Sequence, residues 1–127
     1  MSNKVQQWLD RVEYDVQSAE AMFDAGRYVY VVFMCQQAVE KCLKAVMVSK
    51  AREVPPIHNL RRLAELTGLT VDSEKLKKLD FLSEYYISSR YKEDLAELSK
   101  GLTKTFAGEI LVFAKQVVEW LIQGIKY

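Results

Sequence analysis

Residues 28–50 read YVYVVFMCQQAVEKCLKAVMVSK, a run whose apolar side chains fall on nearly every side of a helix. Its first turns carry Val29, Val31, Val32 and Phe33, β-branched and aromatic residues that also suit a strand. Gln37, Glu40, Lys41 and Lys44, however, recur at steps of three and four, a narrow polar stripe with the period of a helix. A helix with so little polar perimeter belongs in the middle of a bundle, packed on several sides. The stripe is expected to face water or to line a groove. Glu40 and Lys44 stand in the favourable i,i+4 order, which by itself supplies roughly a few tenths of a kcal/mol.

The flanking sequence reads the same way. Val5, Trp8, Leu9, Val12, Val16, Ala19 and Phe23 place one apolar face on a helix from about Asn3 to Asp24, with Gly26 as its stop. After the central helix, Arg52 to Ile57 form a loop stiffened by Pro55 and Pro56. A short helix then carries Leu60, Leu63 and Leu66, capped by His58 or Asn59 and closed by Gly68. Asp72 and Ser73 offer a cap for a fourth helix that ends near Arg90, and the last helix spans about Thr103 to Lys126. Tyr91 to Leu102 is more polar and has no clear period. No segment alternates as a strand, and no internal repeat is present. The chain is therefore predicted to be all-α, an antiparallel up-and-down helical bundle of four to five helices forming a single domain over residues 1–127.

Composition narrows the function classes. The 127 residues include 18 Lys plus Arg against 17 Asp plus Glu, so no global field advertises nucleic acid or acidic membrane, and any such site must be a local patch. Cys35 and Cys42 stand seven apart in an apolar stretch and His58 is the single histidine, a set without zinc-ligand spacing, so neither a metal nor another cofactor is expected. The longest uncharged run, Tyr28 to Val39, is too short to cross a bilayer, and the N-terminus has no signal-peptide core, so the expected location is the cytoplasm. Dinucleotide and P-loop signatures, HExxH, GxSxG and EF-hand loops are all absent.

Three groups of polar residues remain as candidates. His58 stands where the short helix begins, so its imidazole can serve a phosphate held at that helix start, or simply cap it. Gln37, Glu40, Lys41 and Lys44 form the stripe on the central helix. Ser88, Ser89, Arg90 and Tyr91 follow Tyr85 and Tyr86 at the end of the fourth helix. There Arg90 offers a guanidinium fork suited to phosphate, hydroxyls surround it, and a tyrosine ring can stack on a base. The same residues also read as an aromatic helix end with Arg90 against the helix dipole.

Taken together, these pieces resemble the HEPN family, the nucleotide-binding domain of higher eukaryotes and prokaryotes. Trp8, Asp15, Ala19, Gly26 and Tyr28 are similar to the family's opening, and Gln36-Gln37-Ala38-Val39-Glu40-Lys41 with Leu43-Lys44-Ala45 to its QAxEKxLKA helix. His58-Asn59-Leu60 resembles its HxL element and Ser88-Ser89-Arg90-Tyr91 its ARYP element. The resemblance implies a bundle of four or five helices that pairs as a homodimer, with a cleft near the Arg-Tyr element. It also implies partnership with a minimal nucleotidyltransferase as a toxin–antitoxin pair, and some members cleave RNA without metal through an Arg followed by a His. Here Leu95, Ala96 and Glu97 occupy the positions where that His is expected after Arg90, and Lys92 replaces the usual proline. The leading expectation is thus a module that binds a nucleotide or RNA phosphate. The alternatives are a ribonuclease using Arg90 with Tyr91 or His58 as proton carrier, and a partner subunit without a ligand site.

Overall fold

The computed structural model describes residues 3–91, 97 and 99–125, with side chains described for all of these but 89–91. Among the described residues the chain forms five helices and no strand, an all-α helical bundle: α1 (Asn3–Asp24), α2 (Tyr28–Ser49), α3 (Leu60–Thr67), α4 (Ser73–Tyr91) and α5 (Lys104–Gln123).

The helix ends follow local chemistry. Gly26 takes a left-handed φ of +73° between α1 and α2, a conformation that any side chain strains. Asn59, and not His58, caps α3 by accepting from Arg62 N at 2.9 Å. At the other end Gly68 adopts φ +77°, while Lys50 donates to the Thr67 carbonyl at 2.7 Å and the Arg52 guanidinium to that of Leu66. Two cations thus satisfy carbonyls that a helix C-terminus leaves open. Asp72 accepts from Lys75 N at 2.9 Å ahead of α4, and Thr103 from Phe106 N at 3.1 Å ahead of α5. The last helix stops at Gln123, short of the Lys126 that apolar spacing suggests; Gly124 is its C-cap and Lys126 lies outside the described residues.

α2 is the axis of the bundle. It packs most extensively on α1 and also touches α3, α4 and α5. Val31, Val32, Cys35, Ala38, Val39, Cys42, Leu43, Ala45, Val46 and Met47 are all buried, which is why its sequence is apolar nearly all round. Burial pushes both thiols up to about 12, so Cys35 and Cys42 behave as small apolar fillers.

α4 and α5 stand farther apart. Among the described residues long side chains bridge them: Phe81 meets Phe106 edge-on at 5.4 Å, Lys78 lies over the Phe113 ring at 5.1 Å and Lys75 over Trp120 at 4.9 Å. A groove of about 750 Å³ opens between them. No described helix is long and apolar enough to cross a membrane.

Candidate functional site

Of the polar residues of α2, whose spacing allows a face toward water or toward a groove, three are turned away from water. Gln36, Glu40 and Lys44, each four apart, are 0%, 5% and 6% exposed and turn inward. They meet the loop that carries His58. Glu40 Oε2 accepts from Lys44 Nζ at 3.0 Å, and Oε1 accepts from Gln36 Nε2 and from His58 Nδ1, both at 3.0 Å. Gln36 Nε2 also lies 3.3 Å from the His58 carbonyl, and its Oε1 accepts from Gln37 Nε2 at 2.7 Å. The i,i+4 pair that reads as a weak surface contact is thus a buried ion pair at the centre of a five-residue network. Among the described residues every buried side-chain N or O has a hydrogen-bond partner, the condition under which such a network is tolerated.

The loop is anchored from two other sides. Leu60 is fully buried, and its N–H donates to Ser83 Oγ of α4 at 2.9 Å. At the next position of α3, Arg61 grips both oxygens of Asp80 at 2.8–3.2 Å, and those hydrogen bonds hold the Asp80 carboxyl below the usual carboxylate range. The imidazole of His58 is 49% exposed and packs on the buried Tyr86 ring at 5.5 Å, which in turn stacks on Phe33 at 5.4 Å.

Tyr86 connects His58 to the end of α4. Position 90 follows it by one helical turn, about 6 Å along the axis at 1.5 Å per residue, on a stretch whose backbone is helical through Tyr91. Ser88 is half-buried on the same turn. The side chains of Ser89, Arg90 and Tyr91 lie outside the described residues, as do positions 92–96 that follow them. Burial pushes the Tyr85 phenol up, so this ring offers a proton-bearing hydroxyl and not a base.

The remaining expected residues divide. Lys41 is paired with Asp15 of α1 at 2.6 Å, which accounts for an acidic residue buried on α1. Lys44 is paired with Glu40, so the ammonium groups of both lysines are already partnered. Gln37 is half-buried at the edge of the network. What the sequence reading omits is Glu40 as the acceptor for His58 and Tyr86 as the ring beneath it. Gln36, Glu40 and Lys44 at intervals of four in an otherwise apolar helix were the available signal, since water-facing stripes are seldom so narrow. Among the described residues no group of three or more His, Cys, Asp or Glu side chains is placed to hold a metal ion.

The arrangement has relatives. The archaeal HEPN homologue ST0689 has a solved structure similar to this one, with a TM-score of 0.79 at 26% identity, covering 99% of this chain and 100% of that one. TT1696 from Thermus thermophilus is similar in fold, with a TM-score of 0.79 at 22% identity over 96% of this chain and 98% of its own. No curated protein matches. A family model for the HEPN domain matches residues 5–125. That span begins in the first turn of α1 and ends after α5, with the buried Glu40 network and the His58 loop inside it, and so the chain belongs to the HEPN domain family.

Proposed function

We propose that this HEPN domain binds a nucleotide or RNA phosphate at the end of α4, with Arg90 as the principal anion contact and His58 beside it. The observation that carries the reading is the contact of the half-exposed His58 ring with Tyr86, one turn before position 90. Ser88 and Ser89 supply hydroxyls on the same stretch. Glu40 and Lys44 act behind His58 and not on the ligand, because each is buried and engaged with the other. The test is a titration of wild type, Arg90→Lys and Arg90→Ala with a labelled short RNA. Arg90→Lys retains charge but loses the bidentate fork, so binding is expected to weaken by on the order of 1–3 kcal/mol, and Arg90→Ala at least as much. Equal affinities move the site elsewhere, and no binding by wild type favours a subunit without a ligand site.

In the same reading the domain works as a homodimer and as the partner of a minimal nucleotidyltransferase in a toxin–antitoxin pair. The groove between α4 and α5 supports self-association. Phe81, Phe106 and Phe113 floor it and the 54%-exposed Val112 stands at its side. Lys77 and Lys78 of α4 face Glu109 of α5 across it, so a two-fold-related copy of this face can set lysines against Glu109. Sedimentation at micromolar concentration is expected to give a dimer, and Val112→Asp a monomer. A wild-type monomer removes this part of the reading.

A second reading, a metal-independent ribonuclease using Arg90, draws on one observation: His58 has the carboxylate partner that an oriented general base needs. Incubating the same RNA with wild type and His58→Asn separates the two, since only the ribonuclease reading expects cleavage that the variant abolishes.

A further inference from the structure

The Glu40 network does more than hold a loop. A carboxylate can only accept, so the hydrogen bond between His58 Nδ1 and Glu40 Oε1 at 3.0 Å puts the ring proton on Nδ1. In the neutral imidazole the other nitrogen, Nε2, is then an acceptor. It lies on the opposite edge of a ring that is 49% exposed. Lys44 at 3.0 Å already pairs with the Glu40 carboxylate. Gln36 donates to both the carboxylate and the His58 carbonyl, which fixes the Glu40 acceptor against the backbone of the residue it orients.

We infer that Glu40 is a positioning residue that makes His58 present Nε2 as a hydrogen-bond acceptor, so that a bound oxyanion must bring a proton on the oxygen that meets it. With the ring neutral, a hydroxyl or a protonated phosphate oxygen satisfies this, and a fully deprotonated oxyanion meets Nε2 only after the ring takes up a second proton. In that site His58 reads a proton of the ligand. The inference rests on the anion site proposed above, but its tautomer half is independent of any ligand.

Phosphate and sulfate separate these statements, because near pH 7.5 both are mainly dianions while only phosphate carries a hydroxyl. The imidazole is followed by long-range ¹H–¹⁵N NMR, first without ligand and then during titration with each anion. Wild type is expected to carry the proton on Nδ1 and to bind phosphate about three- to tenfold more tightly than sulfate, the range of one hydrogen bond. Glu40→Met/Lys44→Met removes the acceptor together with its counter-charge, and it is expected to free the tautomer and abolish the preference. Glu40→Gln/Lys44→Met retains a carbonyl that accepts from Nδ1 and is expected to restore both. A wild-type proton on Nε2, or a tautomer indifferent to these variants, overturns the inference. Equal binding of the two anions by wild type overturns the acceptor role and leaves the anion site standing. Binding of neither anion overturns the anion site and the ligand selectivity with it.

Discussion

Lys44→Met is expected to destabilise the protein by about 3–5 kcal/mol, the range for removing one partner of a buried ion pair. The side chains of Lys44 and Glu40 are 8% and 7% exposed, so the carboxylate left behind has no water to replace the ammonium. Gln36 and His58 still donate to it, but neither brings a permanent charge. Against a typical total of about 5–15 kcal/mol this is a large fraction of the stability. Glu40→Met/Lys44→Met is expected to recover part of the loss, because the desolvated charge is gone while Gln36 Nε2 and His58 Nδ1 lose their acceptor. Urea unfolding checks both: the midpoint should fall for the single variant and return part of the way for the double, with the slope unchanged. A single-variant loss below about 1 kcal/mol would mean that the pair is solvated as an ordinary surface contact.

Leu60→Ala is expected to lower stability by about 2–5 kcal/mol, the range for truncating a buried leucine. Leu60 is fully buried at the first position of α3, and its own N–H is held by Ser83. It pins the loop to the core two residues after His58, so the loss should reach the site as well as the fold. The His58 resonances are expected to move toward those of an exposed imidazole as Glu40 Oε1 loses its donor. Leu60→Met nearly conserves volume and should cost less than about 1.5 kcal/mol with His58 unshifted. If Leu60→Ala destabilises without changing the His58 signals, the loop is held by its hydrogen bonds to Glu40, Gln36 and Ser83 and not by the Leu60 side chain.

Helix positions, caps and the apolar faces follow from interactions within one turn of the chain, and for that reason they could be read from residues alone. α1 begins and ends where the spacing of Val5 to Phe23 and the glycine after it place its limits. Asn59 and Asp72, each one of two candidates in the sequence, cap helices because a short acceptor before an apolar repeat has few other uses, and Thr103, read there as the start of the last helix, is its cap. The family resemblance drew on the same local signals, the polar residues of α2 above all. What they are for was decided elsewhere. Periodicity sets Gln36, Glu40 and Lys44 on one side of a helix, but it carries no information about what packs there. The answer came from a loop 18 residues beyond Glu40 that folds back to bring His58 Nδ1 to its carboxylate. Likewise, the opening between α4 and α5 depends on how far apart two helices stand once Phe81, Phe106 and the lysines fill the gap, a distance no single helix encodes. A stripe of charge is therefore a surface in sequence and becomes a buried, fully bonded network only when the tertiary fold supplies the missing donors, because desolvating Glu40 is tolerable only with all of them in place.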